Sequence, residues 1–182
     1  MPQINFEDRK IGDIGNDCLL SVDGTDYRLA MNYRREYYSY KFKACGYRYE
    51  VGLNIITGDI CWWHGPFACG TYNDITIFRS ALQHHLEHGE RVEADKGYSG
   101  AAPQYVKCPG ALVKTDPEMV AMQSRLRSRH ETCNNRLKKW NILKVPYRHD
   151  LTKHQAVFGA IATIVQLSFG SNPLFQVEYS DE

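Results

Sequence analysis

A chain of 182 residues is long enough for one domain with a real core and too short for two comfortable ones. Its 43% apolar and 24% charged residues are ordinary for a soluble globular protein, and a net charge of +1 means that bulk charge alone does not mark a nucleic-acid binder. Six cysteines without a CxxC pair exclude a zinc ribbon and a secreted disulfide framework, which favours reduced thiols inside a cell.

Along the chain, residues 1–17 read as a flexible lead-in, 18–170 as one folded domain and 171–182 as a tail. The opening MPQINFEDRK is polar and unlike a signal peptide. CLLSV at 18–22 is a short apolar run, predicted as a buried strand that delivers Asp23 at its end. Residues 34–43 form a basic, tyrosine-rich loop. There Tyr37, Tyr38 and Tyr40, with Arg34, Arg35, Lys41 and Lys43, read either as a stacking and phosphate-contacting platform or as a mobile polar insertion. The alternating stretch 46–56, the turn TGD at 57–59 and ICWW at 60–63 predict a β-hairpin.

Ile75, Phe78, Leu82 and Leu86 fall at helical spacing, so one helix is expected over 74–89, stopped by Gly89. Asp74 stands at its start as the expected N-cap, with a place near the candidate acids as its second role. RVEA at 91–94 is a fourth strand leading into Asp95, and weak extended pieces follow around Pro109. A long helix is expected from Pro117 to about Trp140, with Met119, Met122, Leu126, Cys133, Leu137 and Trp140 on its core-facing stripe. Arg127, Glu131, Asn134 or Asn135, and Lys138 share a different face, which by periodicity alone is an ordinary salt-bridge ladder. A last helix covers roughly 152–169; its apolar stretch is too short, and too interrupted by Thr163, Gln166 and Ser168, to span a bilayer. The order predicts an α/β domain with a mixed sheet, the first three strands antiparallel and the first beside the fourth.

Asp23, Asp95 and Glu131 are the candidate catalytic and metal-ligating acids. Hard carboxylate oxygens suit Mg²⁺, and two such ions can clamp the attacking and leaving oxygens of a phosphodiester displacement. From Arg125 to Lys153 there are nine Lys/Arg against Glu131 and Asp150, a local basic face suited to phosphates. His84, His85 and His88 read His-His-x-x-His, but no glutamate completes a zincin pattern and a helix end accommodates cationic histidine.

Taken in order, these motifs resemble the DDE transposases of the PIF/Harbinger and related insertion-sequence type. VDGT around Asp23, YSYKFKACGYRYEV at 38–51, GPFACGTYNDITIF at 65–78, DKGY at 95–98, and Arg127, Glu131 and Lys138 each match a family segment, over roughly 18–168. Ser124 stands where the family has a tyrosine, and Asp26 where its first motif often has His or Glu. The family's helical DNA-binding region has no counterpart ahead of Asp23. The resemblance implies a ribonuclease-H-like mixed sheet flanked by helices and Mg²⁺ or Mn²⁺ as cofactor. It also implies cleavage, and joining, of DNA by a two-metal mechanism. Asp23, Asp95 and Glu131 would be the ligands, Arg127 and Lys138 accessory cations, Asp74 a second-tier acid. Arg125, Arg129, Lys139, Lys41 and Lys43 would contact DNA. Nuclear or other DNA-associated intracellular localisation, a separate DNA-binding partner protein, oligomers and no membrane go with that reading. A transposon-derived, non-catalytic DNA- or protein-binding module is the alternative.

Overall fold

The structure is a computed structural model that describes residues 4–13, 15–109 and 117–178. Its centre is a six-stranded mixed sheet built from β1 (Cys18–Arg28), β2 (Tyr38–Ser39), β3 (Ala44–Asn54), β4 (Ile60–Ala68), β5 (Arg91–Ala94) and β6 (Val106–Lys107). The helices are α1 (Asp74–Ser80), α2 (Pro117–Leu137), α3 (Asn141–Lys144) and α4 (His154–Phe169). β1 is central: it pairs antiparallel with β3 and parallel with β5, and β5 pairs parallel with β6. β3 also pairs antiparallel with β4 and, at its start, with β2. Helices flank this α/β sheet in a ribonuclease-H-like arrangement.

Period-two alternation divides β1 between two cores. Tyr27, with Tyr49 and Val51 from β3, packs against Cys133 and Leu137 of α2 and Phe158, Ile161 and Val165 of α4. Leu20 and Val22 face the other way, onto Phe78, Leu82, Val92 and Tyr98. Each such side chain contributes about 1.5–3 kcal/mol when fully buried, so a strand slip that exchanged the faces would destroy both cores.

Several elements depart from the sequence expectations. β1 does not end near Asp23 but continues to Arg28, because its second half is held by the ladder with β3 that runs from Leu20↔Asn54 to Arg28↔Gly46. The expected helix over 74–89 stops at Ser80. Ala81 leaves helical geometry at φ −145°, ψ −74°, and the apolar spacing carries on as a 3₁₀ turn at Leu82–His84. α2 ends at Leu137, leaving Trp140 42% exposed rather than on the core stripe.

The lead-in docks. Arg9 is 2% exposed, pairs with Glu90 at 2.9 Å and lies over the Phe6 ring, while Asn54 Nδ2 donates to the carbonyls of Asp8, Arg9 and Ile11. Leu174 and Val177 of the expected tail are also buried. Of the weak pieces around Pro109, Val106–Lys107 forms β6, whereas 110–113 lie outside the described residues. Among the described residues every cysteine is a buried free thiol, and no helix is long and apolar enough to cross a membrane.

Candidate active site

Asp23 sits in the middle of β1, on the face it shares with Ser21. The parallel partner β5 ends opposite it: Val22 pairs with Ala94, and the chain leaves the sheet at Asp95. Asp95 keeps extended geometry and caps the 3₁₀ turn Lys96–Ala101, its Oδ1 accepting from the Gly97 amide at 2.7 Å. Glu131 comes from α2, which crosses the same face. Together Asp23, Asp95, Glu131, Arg127, Lys138 and Lys41 line one cavity of about 420 Å³. The helical face that periodicity alone assigned to a surface ladder is therefore a cavity wall.

Burial pushes the Asp23 carboxyl up to about 6; Lys41 opposes the shift, while Asp95 and Asp74 add to it. Asn134 Nδ2 donates to Asp23 Oδ2 at 3.3 Å, and the buried Asn134 Oδ1 has no hydrogen-bond partner among the described residues. Lys138 is half-buried, its Nζ 5.2 Å from the centre of the Tyr27 ring, and burial followed by the Lys41 charge lowers its pKa.

Asp74 is not the N-cap. Asn73 fills that place, its Oδ1 accepting from the Thr76 amide at 3.0 Å, and Asp74 is the first helical residue. Its carboxylate points back to the sheet: a Cβ on Gly24 would collide with Asp74 Oδ1, and one on Gly97 would lie 3.2 Å from Oδ2. Asp74 is thus wedged between the strand that carries Asp23 and the turn that follows Asp95. Arg48 Nη1 lies 3.4 Å from it while the same guanidinium holds Asp26 at 2.7 Å.

The basic face is not a single face. Arg129 is 0% exposed and donates from Nη2 to the carbonyls of Asn54 and Ile55 at 3.1 and 2.8 Å, so it cannot contact DNA. It occupies a core slot three residues after Leu126 and four before Cys133, which is the signal in the sequence that would have placed it. Arg136 bonds the carbonyl of Pro173 at 3.2 Å. Arg125, Arg127 and Lys139 are exposed, as are Lys41 and Lys43 in the turn after β2. In that region Tyr33 and Tyr40 are 69% and 87% exposed and meet Tyr38 edge-on at 5.4 and 5.2 Å. His84 and His88 are exposed, and His85 lies against Trp62 at 5.3 Å.

The donors around the cavity are hard oxygens, with a buried, mutually repelling aspartate and an unpartnered amide oxygen beside it. That chemistry fits a divalent cation such as Mg²⁺ or Mn²⁺. Among the described residues, no three His, Cys, Asp or Glu side chains stand close enough together to form a ready cage. Ser21, Glu93, Gln123 and His130 also line the cavity, and sequence patterning gave no reason to place them there. A family model described as DDE superfamily endonuclease matches residues 22–166. No curated protein and no solved structure matches the chain.

Proposed function

The chain belongs to the DDE superfamily of endonucleases, and from that premise we propose that it is a metal-dependent catalytic domain, of the PIF/Harbinger type, that cuts and joins DNA phosphodiester bonds. The observation that carries this is the shared cavity: acids from β1, from the end of β5 and from α2 meet there with Arg127, Lys138 and Lys41. Asp23, Asp95 and Glu131 would hold Mg²⁺ or Mn²⁺. When bound, the cations would supply activation of the attacking oxygen and countercharge for the leaving one.

The chain's own part is positioning and electrostatics. Lys41, Arg127 and Lys138 line the cavity as cations, where they can hold the substrate phosphate against the acids' negative charge. Asn134 orients the Asp23 carboxylate. Asp74, fixed by Arg48, adds negative charge behind Asp23 and Asp95, which strengthens the site's preference for a cation. Arg125, Lys139, Lys43 and the exposed Tyr33 and Tyr40 offer phosphate and stacking contacts to the flanking DNA. A DNA-associated, nuclear place of action goes with this reading, as does a separate base-reading partner protein.

Nicking of supercoiled plasmid tests it. Cleavage should require Mg²⁺ or Mn²⁺ and vanish in D23A, D95A and E131A. A second reading, a co-opted DNA- or protein-binding module, is favoured by the lack of a ready three-acid cage among the described residues. Metal-independent DNA binding without nicking selects that reading.

A further inference from the structure

Beneath the acids lies a layer of buried polar contacts. His130 Nε2 meets Ser21 Oγ at 2.9 Å, and Gln123 Nε2 donates to Glu93 Oε2 at 3.1 Å. All four side chains are at most 8% exposed. Each strand partner precedes a candidate acid by two residues: Ser21 and Asp23 share one face of β1, and Glu93 and Asp95, which follows the end of β5, line the same cavity. On the helix, His130 immediately precedes Glu131.

Spacing makes the two rows commensurate. Ser21 and Asp23 are about 6.8 Å apart along a strand. His130 and Asn134, which contact them, are about 6 Å apart along a helix. Gln123 lies seven residues before His130, two turns away on the same stripe, and reaches the neighbouring strand. α2 is thereby pinned to both strands that carry aspartates. Sliding α2 by one residue would turn this stripe by about 100° and take Ser21 and Gln123 away from these partners while they stay buried. An unsatisfied buried polar group costs about 1–3 kcal/mol. A slide by a whole turn would keep the apolar stripe of Met122, Leu126, Cys133 and Leu137 facing the sheet, so against that shift the polar contacts discriminate register where apolar burial does less.

We propose that the Ser21–His130 and Glu93–Gln123 contacts form a register lock that sets Glu131 over Asp23 and Asp95, which makes His130 and Gln123 positioning residues of the active site. The role at the site rests on the proposed nuclease reading; the lock itself is a property of the fold.

The test replaces both ends of one contact by apolar groups, S21A/H130L, so that neither partner is left unsatisfied, with H130Q as the conservative variant whose amide reaches the Nε2 position. All proteins are compared at a temperature where each is fully folded by its own melting curve. Two readings are taken, Mn²⁺ affinity by electron paramagnetic resonance and ¹⁵N relaxation dispersion of α2 amides without metal. The expected result is a loss of Mn²⁺ affinity of tenfold or more in S21A/H130L, new microsecond-to-millisecond exchange confined to α2, and recovery of both towards the parent in H130Q. Unchanged α2 dynamics in S21A/H130L overturns the lock. New α2 dynamics with Mn²⁺ affinity unchanged overturns the positioning role. A parent that binds no Mn²⁺ removes the nuclease reading and the positioning role with it, while the relaxation data still judge the lock.

Discussion

Asp23 and Asp26 stand three residues apart on one strand and illustrate opposite uses of a buried carboxylate. Asp23 faces the cavity and has cations nearby but, among the described residues, no ion pair; burial raises its pKa to about 6. Asp26 faces the other side of the sheet, where burial would also raise it, but Arg48 at 2.7 and 3.0 Å and Ser39 at 2.9 Å hold it below the usual carboxylate range. One acid is closed off by its partners. The other is left with an electrostatic demand that a ligand can meet. Alternation along a strand separates an acid closed by its ion pair from one that lines a cavity, without any change in residue type.

The largest break in that contrast comes from exchanging charge for amide at each position. Asp26→Asn leaves the Arg48 guanidinium short of its main partner and should lower stability by about 3–5 kcal/mol. Asp23→Asn should raise the stability of the metal-free protein by about 1–3 kcal/mol at pH 7.5. Urea denaturation of both variants reads the opposite signs; two losses would mean that Asp23 is as well satisfied as Asp26.

Strands and helices were legible because apolar residues recur at two and at three-to-four positions. The motifs singled out Asp23, Asp95 and Glu131, and the fold brings these three to one cavity. What the sequence hid depends on tertiary contact. The string VDGT reads as a strand end, yet Gly24 lies mid-strand because Asp74 approaches it too closely for a side chain. Asp74 reads as a cap until Asn73, one residue earlier, takes the cap. Arg129 reads as a surface cation because charge usually means exposure; only the carbonyls of Asn54 and Ile55, which it meets after folding, make its burial tolerable. The polar layer of Ser21, Glu93, Gln123 and His130 breaks no rule of amphipathic patterning and so gave no signal.

A smaller effect sharpens the comparison on the closed face. Glu50 is 1% exposed, and burial raises its pKa to about 8, with the Trp62 indole NH at 3.0 Å opposing the shift. A carboxyl with a raised folded pKa favours folding while protonated, so its contribution fades as pH rises through 8. Burial holds His130 down to about 3 and His154 to about 4, so both favour folding above pH 6.5 and lose that contribution as pH falls through those values. Below 6.5 these histidines oppose Glu50 and Asp23. Between pH 6.5 and 8 Glu50 acts alone among these four, and stability should fall by about 1–2 kcal/mol. Glu50→Gln should flatten that slope; thermal melts across the window that keep the slope would place the titrating group elsewhere.

The smallest expected effect is at the surface. Arg125→Ala should change stability by less than about 0.5 kcal/mol and reduce the slope of log affinity for duplex DNA against log salt by about 1. Arg129→Ala should instead destabilise the protein, because its guanidinium is buried on backbone carbonyls. Fluorescence anisotropy over a salt series separates the two; equal effects on the salt slope would return Arg129 to the DNA-facing set.

The central claim is that the acids around this cavity hold a catalytic cation, and calorimetric titration of the protein with Mn²⁺ at pH 7.5 tests it most directly. The account predicts saturable binding by the parent that is lost in Asp95→Ala and in Glu131→Ala while their melting temperatures show folded protein. Binding of equal strength in those variants, or none in the parent, would contradict it.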